Sequence, residues 1–361
     1  LNIDFFDFCI GDRMTNNKFD NLFGRKTRQK ETEISQHDMD MAASIQAVTN
    51  DVVLKIVKNI KKETQQKNLC LAGGVALNCV TNGLILREQI FENIWIQPAA
   101  GDAGGSLGAA LSVYYDMLKN KREVVSDTDK MKGTYLGTEF SNLEIRSTLE
   151  NLEAVFQKSD IDKIIEIVAK KISEGKIVGW MNGRMEFGPR ALGNRSILAD
   201  PRNNQMQKKL NLKIKFRESF RPFAPSIMAD HLNEWFNINT PSPYMLFTSH
   251  VNDRIRNNAN ERLHGIKKID LVRSKLPAVT HVDYSARVQS VDFETNPIFY
   301  KLLEKFRELT GYPILINTSF NVRGEPIVSS PKDAYECFMG TDMDLLVIGE
   351  YLLEKEDQQS L

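Results

Sequence analysis

Two short apolar runs that each end in a glycine-rich loop constrain this 361-residue chain more than any other feature. NLCLA, residues 68–72, meets Gly73 and Gly74; IWIQP, residues 94–98, leads into AAGDAGGSLGAALSVYYDML. Runs this short, bounded by glycine, read as buried strands, and the second is followed by a helical pattern. Strand, glycine loop and helix in succession are the unit of layered α/β proteins. The alternation returns later. Ser159 and Asp160 precede a helical run carrying Ile164, Ile165, Ile167, Val168 and Ile172, and Gly175 introduces a strand at 176–181. Residues 296–310 read as a helix stopped by Gly311, and 313–316 as a strand. Ser330 with Pro331 opens another helix, and 345–348 is a last strand. Upstream, Ile45, Val48, Val52, Val53, Ile56, Val57 and Ile60 recur at helical spacing, marking a helix from Ser35 or Asp38 to Lys62.

A chain of this length is long for one hydrophobic core, so two domains are expected. Periodicity fades from 119 to 153, where KNKREVVSDTDKMKGT is charged and turn-rich. That stretch reads as a linker between a domain at 1–118 and a second at 154–361. Net charge is zero, so no global field draws the molecule to nucleic acid or an anionic membrane. Cys9, Cys70, Cys79 and Cys337 form no CxxC pair, which argues against a zinc knuckle or redox dithiol. Cys70 and Cys79 read as core thiols, and a reducing cytoplasm fits. No apolar run is long enough to span a membrane. LNIDFFDF is no signal peptide and lacks an initiator Met, so the expectation is a fragment of a longer protein.

The glycine loops suit phosphate. Gly73, Gly74, Gly101, Gly104 and Gly105 allow close backbone approach, and the helix N-termini that follow supply amide donors. Asp102 is a lone carboxylate able to hold a metal ion beside a phosphate. Asn78 either bonds a ligand or caps its own turn. Neither loop has the dinucleotide fingerprint or a Walker A lysine.

The second half carries a charged constellation. NGRMEFGPRALGNRS, residues 182–196, sets Arg184, Arg190 and Arg195 among glycines, and guanidinium forks suit phosphate and carboxyl groups. In KIKFRESFRPFAPS, Lys215 and Arg217 would share one face of a strand and repel unless an anion sits between them. In INTSFN, Ser319 and Asn321 share a face if the preceding strand continues, offering neutral donors to phosphate or ribose. His37, His231, His250, His264 and His281 lack metal-ligand spacing; His281 stands out only because it shares THVDYSARVQSV with Arg287.

LAGGVALN, PAAGDAGGSLGAAL, NGRMEFGPRALGNRSILADPR, KFRESFRPFAPS, SARVQSV and PILINTSFNVRGEPIV together resemble the nodulation-type (NodU-like) O-carbamoyltransferases over nearly the whole chain. The resemblance implies the second lobe of an actin-like (Kae1-like) ATPase domain followed by a YrdC-like open twisted α/β sheet. It implies that carbamoyl phosphate and ATP give carbamoyl-adenylate in the second domain, and that the first passes the carbamoyl group to a hydroxyl of a small molecule, often a sugar. The YrdC-like pattern Lys-x-Arg…Ser-x-Asn falls on Lys215, Arg217, Ser319 and Asn321, with Arg190, Arg195 and Arg287 as further candidates. Lys215, Arg217 and Arg287 would be catalytic. Gly73, Gly74, Asn78 and Gly104 would face nucleotide. Mg²⁺ would accompany ATP, and Asp102 would ligate Fe²⁺ or a similar divalent metal in the first domain. The family's H-x-x-x-H metal pair is missing here, consistent with an absent first lobe.

Two other readings compete. Arg202, Lys208, Lys209, Lys213, Lys215, Arg217 and Arg221 form a basic stretch that would suit threonylcarbamoyl-adenylate synthesis for tRNA modification. A nucleotide-sensing interaction module without catalysis is the other. A hydrogenase-maturation carbamoyltransferase would need zinc fingers and an acylphosphatase domain, which the cysteine pattern and length do not support. The sequence leaves the acceptor and any oligomer open.

Overall fold

A computed structural model describes all residues except 1, 10, 30, 31, 124–128, 258–262 and 359–361. The chain divides into two compact units, Leu1–Thr49 and Asn50–Leu361. In the smaller, Asn16 caps the helix Asn17–Leu22, and Asp20 is buried and accepts from Arg13 and Thr27. The helix Gln36–Thr64 begins there. Arg25 and Ser35 both bond Asp38 in its first turn.

In the larger unit the first two predicted strands form a parallel pair, β1 (Asn68–Leu71) with β2 (Asn93–Ile96). The remaining strands are β3 (Gln157–Lys158), β4 (Val178–Met181), β5 (Arg195–Ala199), β6 (Ala224–Met228), β7 (Thr248–His250), β8 (Ser285–Arg287), β9 (Gln289–Val291), β10 (Ile314–Ser319), β11 (Leu345–Ile348) and β12 (Tyr351–Glu354). Eight of them build one mixed sheet in the order β3-β12-β11-β4-β5-β10-β6-β9. β7 and β8 pair separately, antiparallel.

The sheet is apolar on both faces, so its central strands read as continuous hydrophobic runs rather than alternating ones. On β10, Ile314 and Ile316 enter one core while Leu315 enters the other. The helices Ile161–Ser173 and Pro297–Thr310 cover the second face through Ile164, Val168, Ile172, Phe299, Leu302 and Phe306. Asn296 caps the latter helix, and Gly311 ends it in the left-handed region at φ 80°. Ser330 and Asp333 close a capping box on Pro331–Met339, which covers the first face.

Three expectations change. Residues 142–151, expected within a linker, form the helix Asn142–Asn151, and its Ile145 and Leu149 are buried in the sheet core. Residues 124–128 of that stretch lie outside the described residues. Cys70 is exposed and Cys79 half-buried rather than core thiols, because β1 has one partner strand and an open face. The long upstream helix buries Val57, while Ile45, Val48, Val52, Ile56 and Ile60 stay exposed as a stripe along its other side. No helix among the described residues is long and apolar enough to cross a membrane.

Candidate anion-binding site

Lys215 follows the helical turns Met206–Lys209 and Leu210–Ile214; its own backbone is helical and its amide bonds the Leu210 carbonyl at 2.9 Å. The expected strand at Lys215–Arg217 is therefore replaced by a helix end. Phe216 reverses the chain at φ 47°, and the Arg217 amide returns to the Asn211 carbonyl at 3.0 Å. The two cations are set by a turn, not by β alternation.

Lys215 is buried, at 3% exposure. Its ammonium donates to the Ser319 carbonyl, to the Asn321 carbonyl at 2.9 Å and to Asn321 Oδ1 at 3.0 Å, with Ser319 Oγ at 3.4 Å. Ser319 closes β10, and its hydroxyl donates to Asn321 Oδ1 at 2.7 Å. Fold and sequence thus join Lys-x-Arg to Ser-x-Asn, residues more than a hundred positions apart. Every acceptor on the ammonium is neutral. Burial first, then the nearby Arg217 charge, lowers Lys215 to about 7. The thiol of Cys337 beside it is pushed up to about 11 by burial.

Three arginines extend the site. Arg217 Nε donates to Asn211 Oδ1 at 2.7 Å, and its guanidinium lies 5.0 Å over the Phe223 ring. Arg287 ends β8; burial, then the charges of Arg190 and Arg217, lower it to about 10. Arg190 donates to the Leu77 carbonyl at 3.5 Å, and its buried Nε has no partner. Among the described residues none of these four cations forms an ion pair. Like charges this close are costly in a low-dielectric site unless an anion shares them.

The glycine loops stand beside this cluster. Leu77 ends the turn Gly74–Leu77, and the Gly73 amide, at φ 97°, donates to the Ala100 carbonyl at 2.8 Å. Asn78 caps the helix Cys79–Arg87 by accepting from Thr81 at 3.2 Å. Gly104 opens the helix Gly104–Ser112 so close to Ala99 that a Cβ would sit 2.2 Å from its carbonyl oxygen. Gly188 packs its backbone near the Pro98 carbonyl. Asp102 is exposed on its loop. Among the described residues no three His, Cys, Asp or Glu side chains gather to hold a metal.

Arg195 does not join the cluster. It is fully buried and donates to the carbonyls of Asn182, Gly183, Asn194 and Thr138 at 2.9–3.4 Å. Beside it stands Glu186, which the sequence reading overlooked. One oxygen of this buried carboxyl accepts from the amides of Leu192 at 2.6 Å, Asn194 at 2.9 Å and Arg195 at 3.3 Å; the other has no partner. Burial raises its pKa despite those bonds. A lone glutamate inside an arginine–glycine stretch was the available signal. The basic stretch offered for RNA is largely paired: Arg202 with Asp200, Lys209 with Asp344, Lys213 with Asp342 and Arg221 with Glu218.

Four cations gathered on an α/β frame, with Glu218 acting on Arg217 but pairing with Arg221, have the charge to receive an anion. The family model for the carbamoyltransferase C-terminus matches residues 169–355, over half of the chain, and that for the carbamoyltransferase N-terminus matches residues 1–111. The chain belongs to the carbamoyltransferase family. An uncharacterized protein of Synechocystis is 53% identical over 99% of this chain and 59% of its own length. Nodulation protein NolNO of Sinorhizobium fredii is 39% identical over 91% of the chain and 46% of its own. Nodulation protein NolO of Bradyrhizobium diazoefficiens is 38% identical over 91% and 57%. The chain thus spans about half the length of these relatives. Crystalline full-length HypF in its phosphate- and nucleotide-bound form aligns with 56% of this chain and 22% of its own, at 19% identity and TM-score 0.32, too slight a likeness to argue from.

Proposed function

We propose that this chain carries the carbamoyl-activating part of an ATP-dependent O-carbamoyltransferase, with residues 154–361 as a YrdC-like unit and 1–118 as part of an actin-like one. The observation that carries the reading is the Lys215–Ser319–Asn321 contact beside Arg190, Arg217 and Arg287. Carbamoyl phosphate loses phosphate to water and leaves carbamate. A carbamate oxygen attacks the α-phosphorus of ATP, the bond to pyrophosphate breaks, and carbamoyl-adenylate forms. Negative charge builds on pyrophosphate and on the pentavalent phosphorus, where fixed cations act most strongly. Lys215, Arg217 and Arg287 meet that charge; Ser319, Asn321 and Arg190 hold the donor. Arg195 serves by fixing the loop that carries Arg190. The mixed anhydride then gives its carbamoyl group to a hydroxyl of a small acceptor, with Gly73, Gly74, Asn78 and Gly104 lining the nucleotide side. Mg²⁺ would enter with ATP.

Lys215 near neutrality suits this role. An ammonium held without a counter-ion gains most when an anion arrives, since the anion both pairs with it and restores its proton. The test is carbamoyl-phosphate-dependent ATP–pyrophosphate exchange. Lys215→Ala should abolish it; exchange at the unsubstituted rate overturns the reading.

A further inference from the structure

Helix Cys79–Arg87 packs against β7 so closely that a Cβ on Gly83 would sit 2.4 Å from the Thr248 carbonyl oxygen. Asn82 adds a hydrogen bond to the Leu246 carbonyl at 3.0 Å. Beside this contact lies a cavity of about 680 Å³ that no member of the cationic cluster lines. Part of its lining is apolar: Phe91 and Ile238 are buried, Leu86 and Ile90 half-buried. The rest is polar. Arg87, in the last turn of the helix, donates to the Thr248 carbonyl at 3.3 Å, and both residues line the cavity. That single bond fixes the guanidinium against β7 and leaves most of its N–H donors unused.

The charges decide what can enter. The carboxylates next along the chain are engaged with lysines, Glu88 with Lys58 and Glu92 with Lys67, each at 3.1 Å. Arg87 has no carboxylate partner among the described residues. Lys61, also on the lining, holds its ammonium 5.2 Å from the Phe91 ring centroid and donates to the Gln66 carbonyl at 2.6 Å. A cation would meet both positive charges. A guanidinium fork suits a carboxylate or a phosphate, either of which it holds by parallel bonds. Phosphate gains most where several donors replace its water, and here apolar surface stands beside one arginine. A carboxylate on an apolar body uses both the arginine and that surface. Asn239 and Thr240, whose side chains make no hydrogen bond among the described residues, can meet further polar atoms.

We propose that this cavity binds an organic carboxylate whose charge pairs with Arg87 and whose apolar part lies along Leu86, Ile90, Phe91 and Ile238. Thr248 is also the register partner of Arg287 across β7 and β8, so the occupied cavity would adjoin the strand that carries a member of the cationic cluster. The site is separate from the proposed reaction, and its test needs no turnover. In protein labelled at the isoleucine δ1 methyl groups, Ile90→Val and Ile238→Val each delete one signal and so assign it. Phenylacetate and octanoate serve as probes, one with an aromatic body and one with an aliphatic body. The expected result is that at least one of them, at millimolar concentration, moves the Ile90 and Ile238 methyl signals; a response to either supports the proposal. The neutral amide of the responding acid, and acetate, which lacks the apolar body, should bind at least tenfold more weakly. Arg87→Met should weaken the responding carboxylate about tenfold, the loss of one charge-assisted contact. Arg87→Lys, which keeps the charge without the fork, should retain the preference for acid over amide. Equal affinity for acid and amide, unchanged affinity in Arg87→Met, tighter binding of inorganic phosphate than of either carboxylate, shifts confined to other isoleucines, or no response to either probe overturns it.

Discussion

Lys215 Nζ lies 3.0 Å from Asn321 Oδ1, the same oxygen that accepts the Ser319 hydroxyl at 2.7 Å. One amide oxygen thus orients two donors, and a neutral group holds a buried ammonium where a carboxylate would be usual. Asn321→Asp places a charge on that oxygen. It should raise the Lys215 pKa, stabilise the unliganded protein and weaken carbamoyl-phosphate-dependent exchange at least tenfold, because the new carboxylate competes with the substrate anion. Denaturant melts and exchange assays on the same preparation would show opposite signs.

The depressed Lys215 also leaves a mark on stability. Between about 7 and 10.5 the unfolded chain holds a proton on this lysine that the folded chain lacks. The unfolded state binds more protons, so stability contributed by this group rises with pH across that window. Below pH 7 both states are protonated and the slope vanishes. Lys215→Met should be more stable than the unsubstituted protein near pH 7, with the difference shrinking as pH approaches 10.5. Urea midpoints across that range give the comparison.

Phosphate binding isolates the arginine cluster from catalysis. Arg287→Met removes one of three mutually repelling cations. The unliganded fold should lose little or gain stability, whereas phosphate affinity falls about tenfold and its salt dependence flattens. Titration calorimetry at two salt concentrations reads both. Equal phosphate affinity in the variant would place the anion elsewhere.

Glu186 and Gly104 test the scaffold. Glu186→Ala strands three buried amides and should cost about 3 kcal/mol or more. Glu186→Gln keeps an acceptor and removes a charge whose burial is unfavourable, so it should lie close to the unsubstituted protein above pH 4.5. Calorimetric melting separates the two.

Gly104→Ala drives a Cβ into the Ala99 carbonyl at 2.2 Å, while Gly105→Ala meets nothing within 4 Å. The first should destabilise by about 1–3 kcal/mol and the second be neutral or stabilising by under ~1 kcal/mol. Thermal melts of the paired variants decide.

The sequence made the helices and central strands readable because their signals are local. Asn296, Gly311, Ser330 and Pro331 mark helix ends by their own backbone chemistry. The apolar runs of β4 and β11 have no other place than a two-sided core. What escaped was non-local. Nothing adjacent to Lys215 shows that a π-type turn, rather than a strand, delivers it to Ser319. Arg195 and Arg190 look alike in sequence; only packing separates the one whose terminal nitrogens bond four carbonyls from the one that bonds a single carbonyl, that of Leu77. Ile145 and Leu149 were hidden by the charged stretch before them. The Lys-x-Arg and Ser-x-Asn meeting was legible through resemblance, since their separation leaves no periodic trace.

The Arg190 contact with the Leu77 carbonyl has a thermodynamic corollary. Leu77 closes the turn that starts from Gly73, and Arg190 belongs to the charge cluster, so one hydrogen bond belongs to both neighbourhoods. A ligand that shifts the turn alters the arginine's partner, and an anion that draws the arginine away frees the turn. Reciprocity then requires each ligand to change the other's affinity by the same factor. Ligands at the turn and at the arginines would then be linked through a single shared acceptor.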